Sequence, residues 1–199
     1  PVKSFIEDSY PHMFEYDTDR DNYDYVYDAE SLRSLAGRKM HSKKNHFNGF
    51  VKEYQDRFVY KAIEKSEFDE CLRLSDKWAF SREKDRNLIG ENLAIKKVLK
   101  NADKFSCLKI GGIYIDNDLE AFTFGDLINS QMAVIHIEKA NPDIRGIYSA
   151  VNKLFLENEF PDVEFVNRED DLGIEGLRKA KLSYKPLRLV EKYTLTERQ

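Results

Sequence analysis

No stretch of this sequence approaches the roughly 18 consecutive apolar residues that a membrane-spanning helix needs, so no span is expected. No basic-then-apolar pattern opens it, so these residues predict no secretory signal. Cysteine is scarce. Cys71 and Cys107 stand apart, with no CxxC pair and no Cys/His cluster, which argues against a zinc site and against any metal. Two lone thiols fit a reducing cytoplasm and read as small core residues. No P-loop, glycine-rich dinucleotide fingerprint or Ser-His-Asp arrangement is visible, and there is no internal repeat or low-complexity tract.

What remains is the composition of an ordinary globular protein: 199 residues, 41% hydrophobic and 34% charged. The chain opens at Pro1 without an initiator Met and is expected to be a piece of a longer protein. Its net charge of −4 argues against a dedicated duplex-DNA binder. The charge is unevenly spread. Glu7, Asp8, Glu15, Asp17, Asp19, Asp21, Asp24, Asp28 and Glu30 face only Lys3 and Arg20, whereas residues 38–52 carry Arg38, Lys39, Lys43, Lys44 and Lys52, with His41 and His46 and no acid.

Residues 1–22 read as a linker or the tail of a preceding domain, and 23–199 as the main domain. Tyr23–Tyr27 alternates as a strand, and Asp28 can cap a helix that runs to about Tyr54 with a break at Gly37. Phe58–Ile63 is a strand candidate. Ser66–Asp69 resembles a capping box that opens a helix with Phe68, Cys71, Leu72 and Trp78 on one side. A second helix near Asn87–Lys100 is expected to bury Leu88, Ile95, Val98 and Leu99. Leu108–Ile115 and Leu119–Leu127 form a hairpin around Asp116-Asn117-Asp118, with Gly111-Gly112 fitting a bulge. Met132–Ile137 is a third strand. Asn141-Pro142 supplies an N-cap and a first-position proline for a helix striped by Ile144, Ile147, Val151, Leu154 and Phe155. A strand at Val163–Asn167, a helix at Ile174–Leu182 and a strand at Leu187–Leu195 complete the chain. A meander followed by β-α-β-α-β predicts an α/β (α+β) sandwich on a mixed sheet.

This order is similar to the fold of the GCN5-related N-acetyltransferases. The run Gly37–Phe50 resembles the basic "KKRNH…F" block, and Asn167–Pro186 the "NRE-D-G…LR-AK-SY-P" signature, of a bacterial family labelled with the phosphatidylglycerol lysyltransferase C-terminal domain. The resemblance covers roughly residues 20–196. It implies tandem acyltransferase-like domains, of which this chain would be the C-terminal one, and transfer of an aminoacyl group from tRNA to a lipid headgroup or cell-wall precursor.

In acetyltransferases of this fold a glycine-rich loop at a helix start holds the pyrophosphate of coenzyme A. The matching window places Ile144, Arg145, Gly146, Ile147 and Tyr148 as binding residues. Gly146 is kept, but Asp143 repels phosphate and Tyr148 replaces a small residue. That weakens coenzyme A as donor and leaves aminoacyl-tRNA open. Asn167–Gly173 leaves a strand with an amide, a guanidinium and three carboxylates. Glu169 or Asp171 is a candidate general base, and Asn167 and Arg168 are candidate substrate contacts. The alternative for Asp171 is a loop carboxylate that holds N–H groups of the next helix. By position, the resemblance makes Tyr184 a candidate general acid, and Glu138 is an alternative base. Lys39, Lys43, Lys44 and Asn45 are candidates for tRNA phosphates or an anionic lipid headgroup, with Lys39, Lys43 and His46 expected on one helix face. The leading reading is an acyl- or aminoacyl-transferase. The alternatives are a non-catalytic tRNA- or lipid-binding domain and the structural half of a two-domain site.

Overall fold

The computed structural model describes residues 2–80 and 86–198. Seven strands form one sheet: β2 (Asp24–Asp28), β3 (Phe58–Ala62), β4 (Lys109–Ile115), β5 (Asp118–Asn129), β6 (Met132–Ala140), β7 (Phe165–Asn167) and β8 (Arg188–Val190). Their order is β3-β4-β5-β6-β7-β2-β8. Every neighbour pair is antiparallel except β6 and β7, so the sheet is mixed, as expected. Asp116 and Asn117 both take positive φ, as a tight two-residue hairpin requires.

Helices α2 (Ala29–Ser34), α3 (His41–Tyr54) and α6 (Ile147–Glu159) cover one face. There Leu32, Phe155 and Leu156 pack on Ala133, Ile135 and Val166, and Phe50 and Val151 on Ile113 and Ala121. Helices α4 (Phe68–Phe80) and α5 (Arg86–Lys100) cover the other, where Cys71, Ile95 and Leu99 meet Ile110, Phe122 and Phe124. Each fully buried aliphatic or aromatic side chain contributes roughly 1.5–3 kcal/mol. The side chains of Trp78 and Leu88 lie outside the described residues. Asp28 caps α2 by accepting from the Ser31 N–H at 2.7 Å. Leu35 in the left-handed region stops α2, Gly37 turns the chain, and a 3-10 turn (Arg38–Met40) leads into α3.

Five expectations need correction. Cys107 is exposed, so only Cys71 is a core residue. The helix after β6 starts at Ile147 with Gly146 as its cap, not at Asn141-Pro142. Asn141 instead folds a turn by accepting from the Asp143 N–H. The capping box joins Glu64 and Glu67 rather than opening at Ser66. The bulge falls between Ile113 and Tyr114 rather than at Gly111-Gly112: a Cβ on Gly111 would lie 2.1 Å from the Tyr60 hydroxyl of β3, and one on Gly112 2.8 Å from the Ala121 carbonyl of β5, so the glycines give room to close neighbours. The last strand divides, and its second part, β9 (Thr194–Glu197), pairs with β1 (Phe14–Asp17) in a separate two-stranded sheet. Residues 1–22 thus include a helix, α1 (Val2–Ser9), and a strand bonded to the chain's far end.

Candidate functional site

The site lies where the parallel strands part. β6 and β7 are in register from Met132 opposite Phe165 to Val134 opposite Asn167. Beyond that point β7 ends while β6 runs on to Ala140. Carboxyl ends of neighbouring parallel strands are where α/β sheets open a crevice.

A β-bulge sets what points into it. Phe124 is opposite Ile137 and Gly125 opposite Ile135, which leaves His136 as the extra residue of β6. The alternation therefore slips. Ala133 and Ile135 face α6, Ile137 faces α5, and Glu138 faces α6 again. His136 is turned to the α5 side. Its Nδ1–H donates to Glu169 Oε1 at 2.8 Å, and its Nε2 is 3.7 Å from Asp126 Oδ1. The Glu169 bond, followed by the two carboxylate charges, raises the His136 pKa although burial opposes it. Glu169 has φ +54°, an uncommon conformation for a non-glycine residue, and the Asn167 side chain holds its N–H at 2.7 Å. His136, Glu169 and Asp126 stand at a cavity of about 310 Å³ whose other walls include Ile95, Val98, Phe105, Leu108, Phe124 and Ile137. An apolar cavity with a few convergent polar groups is the usual form of a ligand site. The sequence reading missed His136. Its only signal was a lone imidazole among β-branched residues, which ordinarily marks a packed strand.

The opposite face carries a closed polar cluster. Arg168 donates through Nε to Glu138 Oε2 at 3.1 Å and through Nη2 to the same oxygen, and Asn152 Nδ2 donates to Glu138 Oε1 at 3.0 Å. The guanidinium lies 4.6 Å from the Tyr184 ring centroid, and Lys43 Nζ 4.0 Å from that ring. Burial and the nearby Arg168 charge lower the Lys43 pKa to about 8, and the same causes lower Lys181 to about 8. Tyr184 is buried, with its hydroxyl 3.4 Å from Ser149 Oγ, and burial raises its pKa.

Asp171 stands in a third environment. It is fully buried and accepts from Arg178 at 2.9 and 2.7 Å, from the Gly173 N–H at 3.0 Å, from Arg20 at 3.4 Å and from the Tyr25 hydroxyl. Burial alone would raise its pKa, but these donors together hold it well below the usual carboxylate range. Every face of the carboxylate is used to join β2, the loop and α7 (Glu175–Ser183).

The sequence candidates therefore separate. Glu138, Arg168, Tyr184 and Lys43 come together on the α6 face, whereas Glu169 is on the α5 face with His136. Asn167 ties Glu169 to β2 by donating to Asp24 at 3.0 Å. Lys39, Lys44 and Asn45 are exposed, and Lys39 sits in the 3-10 turn rather than on α3. At the start of α6, Arg145 is exposed and Ile147 buried, with Ile144 packed beside it. The Tyr148 hydroxyl donates to the Ala140 carbonyl at 3.3 Å. A Cβ on Gly146 would lie 2.2 Å from the His46 carbonyl oxygen. Helix α3 is thus packed on the turn where coenzyme A pyrophosphate would lie, with a carbonyl oxygen and the nearby Asp143 in place of donors. Those residues do not fit that group. Among the described residues no cluster of three or more Cys, His, Asp or Glu suits a metal ion, and no helix is long and apolar enough to cross a membrane.

The model of the family "Phosphatidylglycerol lysyltransferase, C-terminal" matches residues 3–196. The chain belongs to this family. A crystal structure of a conserved protein of unknown function from Bacteroides thetaiotaomicron superposes with a TM-score of 0.92 at 35% identity, covering 99% of this chain and 67% of that one. L-PGS from Bacillus licheniformis shares the fold at 15% identity, with a TM-score of 0.65 over 98% of this chain and 64% of that one. An uncharacterised protein of Mycoplasmoides gallisepticum is 23% identical over 169 residues, 85% of this chain. The chain spans about half (54%) of that curated relative. The architecture of this lysyltransferase-family domain is the GCN5-related N-acetyltransferase-like one.

Proposed function

We propose that this domain transfers an aminoacyl group from an ester donor of the aminoacyl-tRNA type to a hydroxyl or amine acceptor, with His136 as general base. The observation that carries the reading is the His136–Glu169 pair at the mouth of an apolar cavity beside the parting strands. Glu169 accepts the Nδ1–H, which fixes the tautomer and leaves Nε2 to accept a proton. The acceptor oxygen or nitrogen attacks the ester carbonyl while Nε2 takes its proton. The tetrahedral intermediate collapses, the ester C–O bond breaks, and the imidazolium returns the proton to the leaving ribose oxygen. Rate comes chiefly from holding donor and acceptor together in a partly dry site.

The fit at Gly146 favours an ester donor over coenzyme A. Such a donor places the reaction in the cytoplasm. The name of the family supports a lipid headgroup as acceptor, and a cell-wall precursor offers the same nucleophiles. The greater length of the relatives motivates an additional acyltransferase-like domain as a partner. The exposed Lys39, Lys44 and Asn45 are suited to tRNA phosphates.

The test supplies radiolabelled aminoacyl-tRNA and, in parallel, acetyl-coenzyme A, with phosphatidylglycerol vesicles as acceptor. Label should move from the tRNA and not from the thioester. His136→Gln should lower kcat by roughly 10²–10⁴-fold, the usual worth of general base catalysis. Full activity of that variant would sink the reading.

A further inference from the structure

A second cavity and the basic block beside it stand outside the chemistry at His136. This cavity, of about 300 Å³, lies on the α6 side of the sheet, across from His136. Its walls include the buried Tyr27, Met40 and Tyr184. Two segments far apart in the chain form the mouth. The 3-10 turn supplies Arg38 and Lys39, and the turn after α7 supplies Lys185. All three are exposed, and among the described residues none has a carboxylate within ion-pair distance. The one acid at the cavity, Asp28, is already engaged, because its carboxylate caps α2 on the Ser31 N–H at 2.7 Å. Behind the Tyr184 wall, Lys43 Nζ and the Arg168 guanidinium lie 4.0 and 4.6 Å from the ring centroid, and Glu138 is the one carboxylate of that cluster. The excess positive charge on the two sides of Tyr184 adds at the cavity. A merely solvated basic face needs no hollow beneath it; here unpaired cations stand over a concave surface with aromatic walls.

We propose that this cavity binds a small phosphomonoester of mononucleotide size, with Arg38, Lys39 and Lys185 on the phosphate and the aromatic and apolar walls around the body of the ligand. Three cations match a dianion, and the guanidinium fork suits two phosphate oxygens at once. Ser31 at the same cavity adds a hydroxyl that can donate. Inorganic phosphate alone would leave most of the volume empty, and an uncharged ligand would leave the cations unpaired. Small-ligand cavities begin near this size. A nucleic-acid backbone is the other source of phosphate, and Lys39 also belongs to the surface suited to tRNA, so tRNA serves as the competitor in the test. The site goes beyond the transfer reading and does not depend on it.

The experiment is calorimetric titration of the whole chain with adenosine 5′-monophosphate and, separately, with adenosine, inorganic phosphate and sulfate. The mononucleotide should bind, and more weakly as salt is added. Adenosine should not bind detectably, and phosphate and sulfate should bind roughly tenfold more weakly for want of the apolar contact. Arg38→Gln and Lys185→Gln should each weaken mononucleotide binding about tenfold, the worth of a charge-assisted hydrogen bond. Thermal unfolding should not change, because both side chains are exposed. Ala36→Trp fills the cavity from an exposed position and should abolish binding. Lys44→Gln, on α3 but outside the cavity, should leave it unchanged. His136→Gln should bind the mononucleotide normally while losing transfer, so the two readings fail separately. Absence of binding, equal binding of adenosine, sulfate binding as tight as the mononucleotide, full binding by both charge variants, or displacement of the mononucleotide by an equimolar amount of uncharged tRNA would each overturn the proposal.

Discussion

Two carboxylates two residues apart, Glu169 and Asp171, show how differently one loop can use the same group. Asp171 is enclosed and its oxygens are filled by Arg178, Tyr25, Arg20 and a backbone N–H. Glu169 is partly open to solvent and aims one oxygen at His136 beside a cavity. A filled, buried carboxylate holds structure together and has no lone pair left for a reacting proton. A partly open one beside an imidazole can take part in chemistry. The same contrast runs across the sheet, between the closed Arg168–Glu138–Asn152 cluster and the open His136 cavity.

The largest test of that contrast is Asp171→Ala. It leaves the buried Tyr25 hydroxyl and one side of Arg178 without their partner; Asp21 still holds Arg178 Nη2, so the loss should fall at the lower end of the about 3–5 kcal/mol that removal of one partner from a buried ionic network costs. Glu169→Ala should cost well under that, because its partner stays half-solvated. Chemical denaturation of the two variants measures the gap between them, and equal losses would erase the distinction. The pH dependence has a definite sign. The Asp171 pKa is depressed on folding, so its contribution is present above the ordinary carboxylate pKa of about 3.9 and is lost as pH falls below it toward the folded value. Asp171→Ala should flatten the acid limb of the stability curve.

The closed cluster comes next. Glu138→Leu strands the Arg168 charge, and Arg168→Met strands Glu138, so each single change should cost about 3–5 kcal/mol. The double variant should cost less than the sum and recover part of either loss, because two apolar side chains need no partners. Two orphan atoms, Arg168 Nη1 and Asn152 Oδ1, already lack protein partners, so this cluster is not at its stability optimum. Additive losses would show that the groups act independently.

A subtler effect is expected on His136. Its pKa is raised on folding, so it adds stability below the ordinary imidazole pKa of about 6.5, and this is lost as pH rises through the folded value. Glu169→Gln removes the leading cause. The His136 ring resonances in NMR should then titrate at lower pH, and the acid limb of kcat/KM should move down with them. An unmoved titration would remove Glu169 as the positioning partner.

The strands, the hairpin and the order of elements were legible because each rests on local rules. Asp116-Asn117 can only turn tightly, and Ile147, Val151 and Phe155 share one helical face. The family was legible from the Gly37–Phe50 and Asn167–Pro186 blocks. The site was legible in its parts but not in its grouping. Glu169 was named, yet its partner His136 was not, because they meet only through the parallel pairing of β6 with β7, which no local signal marks. The α6 start was misplaced for a similar reason. Asn141-Pro142 is a sound helix opening by itself, but the close approach of His46 to Gly146 sets the true start. Pairing of β1 with β9, at opposite ends of the chain, left no sequence trace at all.

The smallest effect separates two adjacent lysines that the sequence treats alike. Lys44 is exposed, so Lys44→Met should change stability by no more than about 0.5 kcal/mol at any pH. Lys43 is half-buried over Tyr184 and near Arg168, and its pKa is lowered to about 8. The unfolded chain, with an ordinary lysine pKa near 10.4, therefore binds more protons than the folded one between those values, and stability rises with pH across that window. At neutral pH the charge on Lys43 works against folding despite the aromatic ring beneath it. Lys43→Met should stabilise the protein by less than about 1 kcal/mol at pH 7, with the gain fading as pH approaches 10. Denaturation at neutral and alkaline pH checks both changes. A loss of stability in Lys43→Met would mean that the ring contact outweighs desolvation, and would move Lys43 from the closed cluster to the ligand-facing groups.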